Sequence, residues 1–257
     1  MKGAATMAFV VLASISCGGG QSAPAASSTQ SSPTQGSPIQ SPPPATTSTT
    51  GEAGATTPAP TPTPTRTGPP PFAAKVTPIA RKRLPYSWRP GCPVSYKDLR
   101  LVTMTYWGFD DRAHTGELVV RKTVTDDVVT VFKKLYAMRY PIRQMRLVDV
   151  YKGDDYDSID ADNTSAFNCR AATGSSNWSN HAYGEAVDLN PRENPYVTAS
   201  GSTAHANAKK YAHRPMRGKA VINPGDRVVR TFASVDWGWG GSWSGTKDYQ
   251  HFSRSGR

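Results

Sequence analysis

Along residues 123–138 apolar side chains return every three to four positions, at Val128, Val131, Phe132, Leu135 and Met138, which predicts a helix with one buried stripe. Thr123 stands where a capping side chain belongs, Asp126 and Asp127 form an acidic first turn, and Pro141 stops the helix. Shorter helices are expected over 202–213 and 225–234, the second with Val228, Val229 and Phe232 as its stripe. Residues 116–120, 145–151, 165–169 and 184–190 read as strands. In the last, Val187 and Leu189 face one side while Ala186 and Asp188 face the other. Helices and strands do not alternate regularly, so the expected fold is α+β, a small, mainly antiparallel sheet flanked by helices.

Before residue 72 this patterning is missing, and composition explains why. Residues 1–17 have one early charge, Lys2, then the apolar run 4–12, then small residues ahead of Cys17, the form of an export signal too short to span a membrane. Cys17 is read as a lipidation site, so the chain is expected in the cell envelope, tied to the outer face of the membrane. Residues 18–74 are Ser, Thr, Pro, Gly, Ala and Gln with few large apolar side chains, which cannot offset their ordering entropy by burial. They read as a disordered stalk with a reach on the order of 100 Å where extended. Residues 75–257 then form one catalytic domain, read as a monomer.

Three cysteines occur in the chain. With Cys17 assigned to a lipid, Cys92 and Cys169 are left to pair in an oxidising compartment. Net charge is +11, of which +10 belongs to the domain. That balance suits anionic wall polymers and carboxylate-rich peptides. It does not indicate nucleic acid, because the basic residues form no dense cluster with interleaved aromatics. His114, His205 and His213 have no partner at ligand spacing and read as surface or loop histidines. The acidic run at Asp154, Asp155, Asp157, Asp160 and Asp162 lacks the central Gly and terminal Glu of a calcium loop and reads as a solvated loop. Trp237, Trp239 and Trp243 are candidates for the cleft or for core packing.

The chemistry concentrates in two places. In residues 179–188, His181 and Asp188 flank Gly184, whose missing side chain lets the backbone bend between them. Near the C-terminus Asp248 precedes His251 by three residues, with Asp248 expected in a turn and His251 just inside the strand that follows. Two imidazoles and a carboxylate are the usual protein ligands of a catalytic zinc, with a fourth position open. Bound zinc lowers the pKa of water to about 7, so a hydrolase needs one further carboxylate as base, for which Asp248 is the candidate.

The pattern Ser-x-His-x-x-Gly-x-Ala-x-Asp followed by acid-x-x-His resembles the zinc D-alanyl-D-alanine carboxypeptidase and L-alanyl-D-glutamate endopeptidase family, whose fold is shared with lysostaphin-type enzymes and the hedgehog domain. The resemblance spans roughly residues 100 to 253. It implies that His181, Asp188 and His251 hold Zn2+, that Asp248 is the base, and that Arg170, with Ser179, holds substrate oxygens. The family often has Glu where Asp248 stands, and its arginine often follows Ser-Gly-Tyr rather than Phe-Asn-Cys. The expected activity is hydrolysis of peptidoglycan stem peptides. The alternative is a hedgehog-like wall-binding module without turnover, and the carboxylate at Asp248 favours the enzyme. Limited proteolysis is expected to cut first within residues 18–71 and release a stable C-terminal fragment of unchanged activity. Equally fast cleavage inside residues 100–250 would contradict that division.

Overall fold

A computed structural model describes residues 68–256; the export signal, Cys17 and most of the stalk lie outside the described residues. The fold is α+β, with mainly antiparallel pairing. Its main sheet is built on β2 (Leu99–Gly108), flanked by β1 (Ala74–Pro78) and β3 (Ala113–Arg121), both antiparallel to it. Val102, Met104 and Tyr106 project from β2 into the core at period two. Strand β2 is not among those expected from the sequence, although this alternation of Thr with larger apolar residues is a strand signal. The helix α1 (Thr125–Ala137) packs across β2, burying Val128, Val131, Phe132 and Leu135 as its spacing predicts. Thr123 does not cap it. A 3-10 turn over Lys122–Val124 precedes the helix, and Val124 at the cap position contributes no side-chain bond. The chain then leaves α1 through Arg139 in the left-handed region and pairs β4 (Pro141–Ile142) parallel to the end of β2.

The strand expected over 145–151 is cut short. Only β5 (Gln144–Met145) forms, paired parallel to β6 (Asn163–Thr164). Val148–Tyr151 coils into a 3-10 turn, because the Asp149 carboxylate accepts the Tyr86 and Ser87 amides at 2.9 and 3.0 Å and draws the chain aside. The acidic run is likewise not a loop: α2 (Asp155–Asp160) forms there, with Asp154 capping the Asp157 amide. Residues 165–169 are extended but share their backbone bonds among four neighbours, Ser165 pairing with Asp188. Phe167 donates to Val119, Asn168 to the His181 carbonyl, and Cys169 to Ser87.

The C-terminal half carries α3 (Asn180–Tyr183), β7 (Ala186–Asp188), β8 (Tyr196–Val197), α4 (Arg227–Ala233), β9 (Gly238–Trp239), β10 (Lys247–Asp248) and β11 (His251–Ser253). Strand β11 lies between β7 and β9, and β10 pairs with β8. Helix α4, capped by Asp226, packs on α1 and β9, and its Phe232 stacks on Phe252 of β11 at 3.7 Å. Over 202–213 the expected helix is a 3-10 run, Ala206–Tyr211. His205 is not a free histidine: it is buried, bonded to Asp160 at 3.0 Å and stacked on Tyr156. Cys92 and Cys169 are disulfide-bonded with a Cα separation of 5.8 Å, closing a loop worth about 4 kcal/mol on the chain-entropy account.

The segment between β7 and β8 is pinned to the start of β6 by buried charges. Asp162 and Glu193 have side chains only 2% exposed, and Arg192 reaches both, at 3.3 and 2.6 Å. Burial, then the Glu193 charge, pushes the Asp162 carboxyl up to about 7. An unfolded Asp titrates near about 3.9, so the folded state holds the extra proton between those values and stability falls as pH rises through that window. Asp162→Asn should therefore flatten the dependence of Tm on pH between about 4 and 7. An unchanged slope in the variant would refute the assignment.

Candidate active site

His181 is delivered by one turn of helix. Ser179 caps α3, its hydroxyl accepting the His181 amide at 3.3 Å, and Gly184 ends it with φ of +68°. A Cβ at Gly184 would lie 2.7 Å from the Arg121 amide nitrogen, so the position needs glycine for both space and backbone. The reversal feeds β7, where Asp188 pairs directly with His251 across the antiparallel ladder. Opposed residues present their side chains on one face. His251 Nδ1 lies 3.2 Å from Asp188 Oδ1, and His181 Nε2 lies 3.2 Å from both Asp188 Oδ2 and His251 Nδ1. His251 is the first residue of its strand as expected, whereas Asp248 lies in the short strand β10 rather than in a turn.

All three side chains are buried. Burial alone would raise the Asp188 carboxyl, but the two imidazoles outweigh it and hold Asp188 far below the ordinary carboxylate range. Burial likewise opposes charge on His181, yet the adjoining Asp188 carboxylate lifts its pKa above the usual value. A buried carboxylate flanked by two imidazoles is a place where positive charge is stabilised. The geometry fits a metal ion: zinc ligands at about 2.0–2.1 Å in a tetrahedron stand about 3.4 Å apart, close to the observed spacing. His181 Nδ1 donates to the Ala166 carbonyl at 2.5 Å, which fixes the tautomer and turns the Nε2 lone pair to the trio.

His181 and His251 border a cleft of about 450 Å³ that Arg170, Ser179 and Asp248 also line. Asp248 faces Tyr196 across the β10–β8 ladder, and its Oδ1 is out of solvent with no hydrogen-bond partner among the described residues. Burial, then the Asp188 charge, pushes its carboxyl up to about 7. Gly240 makes room for it, since a Cβ there would come within 2.6 Å of the Asp248 carbonyl oxygen and 2.9 Å of its Cβ. Arg170 enters the cleft from the segment fastened by the disulfide, its Nε 2.8 Å from Asp155 Oδ1. Of the three tryptophans singled out, Trp243 lines the cleft, while Trp237 and Trp239 are core. Trp178 and Tyr196 also line it, and the sequence reading missed both. Trp178 sits one residue before the motif, close enough to have been considered.

A family model described as D-alanyl-D-alanine carboxypeptidase matches residues 173–254, a stretch that holds His181, Asp188, Asp248 and His251 but begins after Arg170. The match supports the family resemblance that the motif carries, and with it a peptidase assignment. No curated protein and no solved structure matches the chain. The His-Asp-His trio is compatible with a divalent ion. Dialysis against a divalent cation is expected to load about one equivalent per chain, and His251→Ala should lose most of it. Full loading of that variant would remove the trio as the site.

Proposed function

We propose that this chain is a zinc-dependent peptidase that hydrolyses peptide bonds in peptidoglycan stem peptides, exported and anchored through a lipid on Cys17. The observation that carries the reading is the pairing of the buried trio with a second, unpartnered carboxylate in one cleft. His181, Asp188 and His251 would hold the zinc. When bound, the ion supplies Lewis-acid polarisation of a carbonyl and lowers the pKa of water to about 7.

Asp248 takes a proton from the attacking water and passes it to the departing amine. The water oxygen joins the carbonyl carbon as the C–N bond breaks, leaving a carboxylate and a free amine. Asp248 suits that transfer by position, since it lines the cleft beside His181 and His251 and its Oδ1 has no hydrogen-bond partner among the described residues. Arg170 supplies an N–H to a substrate oxygen. Ser179 borders the same cleft, and its hydroxyl also holds the turn that aims His181.

Release of peptide fragments from purified peptidoglycan should stop on chelation and return with zinc. Asp248→Asn keeps the side-chain shape and should retain metal while losing about 100-fold or more in turnover. Near wild-type turnover in that variant would place the base elsewhere.

A further inference from the structure

Among the described residues Arg170 is the only lysine or arginine lining the cleft, and its charge is already paired. Asp155, the first residue of α2, sits 2.8 Å from its Nε, and both side chains are largely withdrawn from solvent, at 24% and 31% exposure. One terminal nitrogen, Nη1, is also committed, to the Ala171 carbonyl at 3.1 Å. The Asp155 contact lies off the Nε–H direction, so that N–H is buried without a hydrogen-bond acceptor. The guanidinium is thus paired as a charge, and the nitrogen left as a donor is Nη2, which makes no hydrogen bond among the described residues.

The nearest other cations do not change this balance. Arg89 donates to the Cys169 carbonyl at 2.6 Å and lies over the Trp178 ring. Lys247 turns its ammonium to the Trp243 carbonyl. Neither lines the cleft. A free C-terminal carboxylate carries a full charge, and a guanidinium already paired to a carboxylate returns less for desolvating it than an unpaired one would. A peptide carbonyl carries no charge and needs one donor, which is what Arg170 leaves open.

Building on the peptidase reading above, we propose that the cleft selects an internal peptide bond, with the chain continuing past the scissile position. In this arrangement Asp155 is a positioning residue that cancels the Arg170 charge and so excludes recognition of a terminal carboxylate. Substrate class is set by a side chain that touches no substrate.

The test reads binding rather than turnover, so it stands apart from the failure of the zinc assignment. Metal-free full-length chain is titrated with an N-acetylated stem tetrapeptide, once as the C-terminal acid and once as the C-terminal amide, following the fluorescence of Trp178 and Trp243 in the cleft. Wild type should bind acid and amide within about threefold of each other. Asp155→Asn uncovers the Arg170 charge and should tighten the acid by about tenfold or more while leaving the amide unchanged, the scale of a charge-assisted hydrogen bond. Asp155→Glu restores the carboxylate and should return the wild-type ratio, which separates charge from damage to the fold. A wild-type preference of tenfold or more for the acid, an acid-to-amide ratio unmoved in Asp155→Asn, or no binding of either peptide overturns the proposal. Loss of chelator-sensitive turnover with the binding ratio intact would fault the zinc peptidase reading instead.

Discussion

A carboxylate withdrawn from water is tolerated only where positive or hydrogen-bonding groups surround it, and Asp188 sets that requirement at the centre of this fold. Its backbone is held on both sides, by His251 in the β11 ladder and by Ser165 in an isolated bridge. Its side chain meets an imidazole at each oxygen. Satisfying that one charge brings together α3, the Ser165–Ala166 backbone and the C-terminal strand. The low-charge core beneath, with Val187, Phe252, Phe232 and Trp239 packed together, makes the strands that carry the trio rigid.

The arginine side of the cleft is organised separately. Residues 79–96 wrap against Leu99, Val119 and Phe167 in a smaller apolar cluster, and the disulfide joins that wrap to the residue just before Arg170. Ser87 receives the Cys169 amide while also bonding Asp149, so the 3-10 turn, the wrap and the arginine segment form one continuous support. The trio and Arg170 therefore reach the cleft from different cores, and Asn168, donating to the His181 carbonyl, is a direct tie between them.

The convergence of the His-Asp-His trio was legible because its residues cluster in short motifs. His181, Gly184 and Asp188 lie within one turn and one strand, and His251 is in register with Asp188. Helix α1 was legible because its stripe is long and regular, and the disulfide because few cysteines remained to pair. What escaped was tertiary. Asp155 looked like one member of a solvated acidic run, since nothing local marks it as the partner of Arg170, fifteen positions on. His205 was set aside because Asp160 lies 45 residues away. Helix α2 has no apolar stripe and is held instead by its Asp154 cap and the buried Ser158. Strands β8 and β10 are too short for any periodicity to show, so the placement of Asp248 opposite Tyr196 had no sequence signal.

Gly240 gives the cleft a further property. Its α-carbon hydrogen is all that fits against the Asp248 carbonyl and Cβ, so the wall behind that carboxylate has no spare volume. A side chain at 240 would therefore push on the backbone and Cβ of Asp248, so this glycine governs where the carboxylate stands without touching it.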